Sequence, residues 1–244
     1  MKVAYIMNTL NRGMITPNVT EANVKNAGYD IDSFYITDQG STDMVKDWVA
    51  EYATIAHLYD RNIGNPQALN QMAELASKHN NDIILIMGND IEMPKNWLKQ
   101  AVEVLKYAET GIVGWSWRGY QNEPVEYYGH KVVKDSKIFG CWAMRADTWR
   151  TVGYFSEFSK YGIWDSDYNT RSQLAGYSNF YLYGLHSKHL VNDVEHQTEY
   201  RLIKNEEMRK AAAKYQAMLP RYSKDCFYVD KWQNLKCKTV VMEL

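Results

Sequence analysis

The chain has 244 residues and a formal net charge of −1, from 28 Lys and Arg against 29 Asp and Glu. That balance speaks against a general electrostatic binder of nucleic acid and against a polybasic membrane-surface anchor, both of which need a clear basic excess. The rings stand out: 19 Tyr, 8 Trp and 6 Phe make 14% of the chain, and some of them are expected to do more than fill a core.

Taken in chain order, Val3–Met7 reads as a strand and Thr20–Asn26 as a short helix closed by Gly28. Ser33–Thr37 is a second strand, followed by a helix over Met44–Tyr52 with Val45, Trp48 and Val49 on one face. After a third strand at Thr54–Tyr59, Ala68, Leu69, Met72 and Leu75 recur at helical spacing behind Pro66, a residue that suits a helix start. Ile83–Met87 is continuous and rich in β-branched residues, as a strand buried on both faces should be. Pro94 opens a helix striped by Trp97, Leu98, Val102 and Leu105. Such alternation predicts an α/β fold with a mostly parallel sheet flanked by helices.

The second half is less regular. Gly111–Trp115, Gly140–Arg145 and Asn179–Tyr183 read as strands, Gln121–Lys137 as a loop or hairpin, Asp165–Leu174 as a helix and Glu206–Met218 as a surface helix. A further β-branched run lies at Thr239–Met242. The odd number of cysteines (Cys141, Cys226, Cys237) and the lack of a CxxC pair predict no closed disulfide framework and a reducing, cytoplasmic setting. The chain starts directly on a strand, without the apolar run of a signal peptide, and its longest apolar run is far short of a membrane span. Membrane contact, if made, is expected to be peripheral.

Polar residues collect where strands end, the place where open α/β sheets bind ligands. Asp38 precedes Gly40 at the end of the second strand and is a candidate ligand group, whereas Thr42 and Asp43 read as a helix cap. Gly88-Asn89-Asp90-Ile91-Glu92 follows the buried strand. Asp90 there suits a hard divalent cation completed by diphosphate oxygens, and equally an Asx turn before a helix started by Pro. Asp165 and Asp167 stand at a helix start, where they suit the helix dipole, and a carboxylate there can also act as a general base. His186 and His189 follow the last strand of this region.

The order of these pieces resembles the inverting family 2 glycosyltransferases of GT-A fold. Asn8-Thr9-Leu10-Asn11-Arg12 is similar to the family's first loop, and Asp38-Gln39-Gly40-Ser41-Thr42-Asp43 to its Asp-x-Gly-Ser-Thr-Asp segment. Asn62-Ile63-Gly64-Asn65 with Ala68-Leu69-Asn70, and Gly88 through Leu98, resemble its next two segments. Gly140-Cys141-Trp142-Ala143-Met144-Arg145 with Val152 to Glu157 is similar to the acceptor-side segment, and Asp165-Ser166-Asp167-Tyr168-Asn169-Thr170-Arg171 to the catalytic one. The likeness spans roughly residues 3–190. It departs from the pattern at Gly88, where the metal motif usually begins with Asp or Asn, and at Trp164, where a Glu usually precedes the catalytic Asp.

The resemblance implies a GT-A-like domain over 1–195, with a nucleotide-sugar half (1–110) and an acceptor half (111–195), and a helical extension over 196–244 packed on it. It implies Asp165 as catalytic base, and Asp90 with His189, favoured by spacing over His186, as ligands of Mn2+ or Mg2+, with Glu92 helping through water. Thr9, Asn11, Arg12, Asp38, Asn65 and Asn89 would hold the nucleotide, with UDP-sugar the expected donor. Asp167 and Arg171 would pair and support the catalytic loop. A glycan or other hydroxyl compound would be the acceptor, met by Trp117, Tyr120, Tyr127 and Trp164, while Trp142 and Trp149 are expected in the core. Two alternatives stay open: a non-catalytic nucleotide- or glycan-binding module of the same fold, and a glycosyltransferase acting on a modified nucleic-acid base.

Overall fold

The computed structural model describes residues 1–190 and 198–237. The run at Thr239–Met242 and the boundary expected at 195/196 lie outside the described residues. Strands β1 (Val3–Thr9), β2 (Ser33–Gln39), β3 (Ile55–Tyr59) and β4 (Ile83–Met87) are parallel, joined by helices α1 (Thr16–Asn26), α2 (Val45–Tyr52) and α3 (Asn65–Lys78). A short strand β5 (Ile91–Glu92) and helix α4 (Trp97–Leu105) lead to β6 (Thr110–Ser116). The hairpin of β7 (Val125–Tyr127) and β8 (His130–Lys134) follows, then β9 (Trp142–Arg145) and helices α5 (Ala146–Val152) and α6 (Trp164–Leu174). Next come β10 (Ser178–His186), the two-residue β11 (Lys188–His189), the long α7 (Thr198–Met218), and a hairpin of β12 (Cys226–Val229) and β13 (Leu235–Cys237).

One nine-stranded sheet has the order β3-β2-β1-β4-β9-β6-β10-β8-β7. The predicted parallel pattern holds for β1, β2, β3 and β4 and between β6 and β10. It breaks at β9, which lies antiparallel between β4 and β6, and at β8, antiparallel to β10; β9 follows β6 through the β7–β8 hairpin, with no helix to carry the chain back to the same end of the sheet.

Both faces of the sheet are covered, as its continuous apolar strands require. Val3, Tyr5, Met7 and Leu85 pack on one face with Trp97, Leu98 and Val102 of α4. Ala4, Ile6, Ile84 and Ile86 pack on the other with Leu69 and Met72 of α3 and with Trp142 and Trp149, which are core as expected. Truncating a buried ring such as Trp142 to Ala would cost about 3–5 kcal/mol. Buried Asn70 of α3 donates to the Phe155 carbonyl (2.9 Å) and accepts from its N–H (2.7 Å), fixing the segment that leads into α6.

Three elements differ from expectation. Helix α1 begins at Thr16, with Pro17 in its first turn, and α5 forms where no helix was expected. The C-terminal part is not helical throughout: β12 and β13 pair so that Cys226 faces Cys237, and the two form a disulfide. This disulfide corrects the expectation drawn from the odd cysteine count: two of three cysteines pair because the hairpin register brings them together, and Cys141 is left buried as a free thiol. Among the described residues, no helix is long and apolar enough to cross a membrane.

Candidate active site

A cavity of about 890 Å³ opens at the C-terminal ends of β1, β2 and β4. The loop after β1 brings Thr9, Asn11 and Arg12 to its wall, and the loop after β4 brings Asn89 and Asp90. Asn65 comes from the start of α3, Trp117 from the end of β6, Trp164 and Asp165 from the first turn of α6, and His189 from β11. Residues far apart in sequence thus meet in one space. Hydrogen bonds tie these loops together: Asn8 Nδ2 donates to Asn65 Oδ1 (2.8 Å), Asn89 Nδ2 to Thr9 Oγ1 (3.3 Å), and the Thr42 N–H to Asn11 Oδ1 (2.8 Å).

The position of His189 has a specific cause. Strand β11 pairs antiparallel with β5, setting His189 opposite Ile91, and the Leu190 N–H donates to the Asp90 carbonyl at 2.9 Å. His189 Nε2 then lies 3.6 Å from Asp90 Oδ1, while Arg12 Nη2 lies 3.8 Å from Asp90 Oδ2. His186 instead packs on the Tyr120 ring (centroids 5.1 Å apart) and is not on the cavity wall, and Glu92 is exposed. No group of three or more His, Cys, Asp or Glu among the described residues is placed to hold a metal. One carboxylate and one imidazole nonetheless fit Mg2+ or Mn2+ when ligand oxygens and water fill the remaining positions, which is how Mg2+ is ordinarily held at phosphates.

Asp165 sits in the first turn of α6. Its Oδ1 accepts from the Ser166 N–H at 2.8 Å, and burial pushes the carboxyl up to about 6 against that hydrogen bond. Two residues on, Asp167 turns away from the cavity. Arg171 Nε donates to Asp167 Oδ2 at 2.8 Å with both side chains fully buried, as expected for a supporting pair. Arg171 also donates to the carbonyls of Val152 (2.8 Å) and Tyr154 (2.7 Å), while the Ser156 and Tyr222 hydroxyls donate to Asp167. This network anchors the helix whose first turn presents Asp165.

The sequence model described as glycosyl transferase family 2 matches residues 6–176. The chain belongs to this family. No curated protein is significantly similar in sequence. Among solved structures, GalNAc-T7 with UDP, GalNAc and Mn2+ is similar at a TM-score of 0.64 and 12% identity, over 78% of this chain and 43% of that one. TarS 1-349 of S. aureus is similar at 0.59 and 15% identity, over 77% of this chain and 59% of that one. Its complex with UDP-GlcNAc gives 0.57 and 14%, over 78% and 60%. At these identities the likeness establishes the GT-A fold, and this chain spans only about half the length of those neighbours.

Several residues of this family 2 chain fall elsewhere than the sequence suggested. Asp38 is fully buried and does not line the cavity. Its Oδ2 accepts from the N–H groups of Gly40 (3.2 Å) and Ser41 (3.0 Å), and its Oδ1 has no hydrogen-bond partner. Successive strand residues point to opposite faces, so its neighbour Gln39 reaches the wall instead. Gln39 Oε1 accepts from both Ile63 and Gly64 N–H (3.1 Å each), which leaves its amide NH2 as the group offered to the cavity. Tyr120 is also off the main wall. Its hydroxyl donates to the Leu182 carbonyl (2.8 Å) and accepts from the Gly184 N–H (3.0 Å), and it lines a pocket of about 170 Å³ that shares Trp117, Arg118 and Phe139 with the main cavity. Tyr127 packs on Phe180, with ring centroids 4.4 Å apart, and lines neither space. The Trp164 ring is largely buried, edge-on to Trp142 (5.2 Å) and Phe155 (5.1 Å), and meets the cavity only at its wall. Trp117 reaches the wall because Gly140 has no side chain: a Cβ there would overlap the indole.

Proposed function

We propose that the chain transfers a sugar from a nucleoside diphosphate sugar, a UDP-sugar, to an acceptor hydroxyl with inversion. The convergence of Asp165 with the Asp90–His189 pair on one cavity carries this reading. The acceptor hydroxyl gives its proton to Asp165, whose raised pKa makes it a stronger base than an ordinary carboxylate yet leaves it ionised at neutral pH. The hydroxyl oxygen bonds to the anomeric carbon while the bond to the diphosphate oxygen breaks on the opposite face, which inverts the centre. Asp90 and His189 would hold Mn2+ or Mg2+, which when bound offsets charge on the departing diphosphate. Thr9, Asn11, Asn65, Asn89 and Gln39 form the polar wall for the nucleotide, and Arg12 adds a cation beside Asp90. The smaller pocket beside Trp117 and Tyr120 would take the acceptor, a glycan suiting its rings. The complexes of TarS with UDP-GlcNAc and of GalNAc-T7 with UDP and Mn2+ support the choice of donor and metal.

The test is UDP release from a panel of UDP-sugars with Mn2+ and with EDTA, followed by the anomeric configuration of the product by NMR. Asp90→Ala and His189→Ala are each expected to abolish the Mn2+-dependent turnover. Turnover indifferent to EDTA and to both changes refutes the metal site, and UDP binding without turnover of any donor establishes the non-catalytic module.

A further inference from the structure

Helix α7 lies beyond the residues the family model matches, yet it contributes to the cavity wall. Helical spacing places Lys204, Met208, Ala211 and Tyr215 on one stripe. That stripe leans on the body of the protein, although Met208 is still 38% exposed. Ala211 is fully buried, and the Tyr215 hydroxyl bonds to Thr170 Oγ1 at 2.6 Å. Met208 lies against Gly162, where an added Cβ would come 2.8 Å from its Cγ. An inward stripe is ordinarily apolar, but here the turn above Met208 carries a lysine, and both residues line the cavity.

Helix α7 is fastened to the loop that precedes α6. Lys214 Nζ donates to the Phe158 carbonyl (2.6 Å), and the Lys160 N–H donates to Glu207 (3.2 Å). The same loop is fastened to the connection between β3 and α3, since the Asn65 N–H donates to the Lys160 carbonyl (2.9 Å) and Asn62 Nδ2 to the Tyr161 hydroxyl (2.5 Å). Lys204 and Met208 therefore join the cavity wall beside Tyr161 and Gly162, next to the connection between β3 and α3.

We propose that Lys204 binds the diphosphate of the donor, so that the C-terminal helix completes a site whose other parts come from the family 2 segment. This rests on the nucleoside diphosphate sugar reading above. A lysine ammonium brings three donors and a compact charge, which suits phosphate oxygens approached from several directions.

The test uses the full chain at fixed Mn2+, with UDP binding measured by calorimetry and uridine binding by ligand-observed NMR. Lys204→Met keeps the aliphatic stem and removes the charge, and Lys204→Arg restores it. Lys204→Met is expected to weaken UDP about ten- to hundredfold, the range for losing a hydrogen bond to a charged group. Uridine, which has no phosphate, should bind as before, Lys204→Arg should recover most of the loss, and added salt should narrow the gap. Unchanged UDP affinity in Lys204→Met overturns the proposal, as does an equal loss for uridine or an effect confined to acceptor KM. A wild-type chain that binds neither UDP nor uridine removes the donor reading itself, a result distinct from the preceding ones.

Discussion

Replacing Asp165 with Asn should stabilise the fold while disabling it as an enzyme. The folded carboxyl titrates at about 6 against an ordinary 3.8, because burial disfavours its charge. At 1.36 kcal/mol per pH unit that amounts to about 3 kcal/mol, and water reaching the cavity lowers it to about 1–3 kcal/mol. The folded value lies above the unfolded one, so the native state holds the proton more firmly. The cost is absent below about pH 4, grows as pH rises, and is complete above about pH 6. Asparagine keeps an oxygen to accept from the Ser166 N–H and carries no charge to desolvate. Thermal melts of both proteins should therefore coincide near pH 4 and diverge toward pH 7.5, with Asp165→Asn higher by about 2–4 °C per kcal/mol in a chain of this size. The same variant should lose about 10²–10⁴-fold in kcat, and wild-type kcat/KM should climb with pH up to about 6 and then level. A melting difference that stays flat with pH, or a variant that retains turnover, would refute the assignment of a desolvated base.

Other perturbations test the scaffold. Asp167→Ala leaves Arg171 charged and unpaired in the interior, so denaturant unfolding should show a loss of about 3–5 kcal/mol, and Asp167→Leu combined with Arg171→Met should recover part of it. Gly140→Ala places a methyl where the Trp117 indole lies, at a backbone φ of 78° that L residues avoid. Tryptophan fluorescence should shift, and donor turnover should fall by tenfold or about 1.4 kcal/mol or more. Cys237→Ser opens the C-terminal hairpin loop, with an expected loss of about 3 kcal/mol in a non-reducing melt and none in dithiothreitol. A free-thiol assay that finds Cys226 and Cys237 unpaired in the purified protein would contradict the disulfide.

What could be read from the sequence follows the range of the forces involved. The parallel half was legible because each strand is an apolar run and each helix carries its own stripe and start signal, as in Ile83–Met87 or the helix behind Pro66. Asp90 and Asp165 were legible because each follows or opens such an element. The proximity of His189 to Asp90 was legible only through the family resemblance, since it depends on a two-residue ladder with no periodicity of its own. The choice between Asp38 and Gln39 depends on which way the pleat turns at the end of β2, and both residues are polar. Lys204 was invisible for another reason: in a helix rich in Lys and Glu one more lysine reads as solvated, and only the packing of α7 sets it on the cavity wall. The cysteine pairing was hidden in the register of a hairpin far from the family motifs.

Strand β9 carries a consequence for how the chain is made. It occupies the middle of the sheet, between β4 and β6, yet comes after both in sequence. Until residue 145 has left the ribosome, β4 has no neighbour on that side, and Ile83–Met87 presents an open apolar edge of the kind that draws in other chains. The long-range pairing of Ile84 with Met144 places the fold among slow, high-contact-order topologies. A fragment ending at residue 110 should therefore aggregate on expression, as seen in the pellet fraction, and become soluble when Trp142–Arg145 is supplied from a co-expressed second half. Residues 1–110 and the segment after them thus share a sheet that must be completed as one piece.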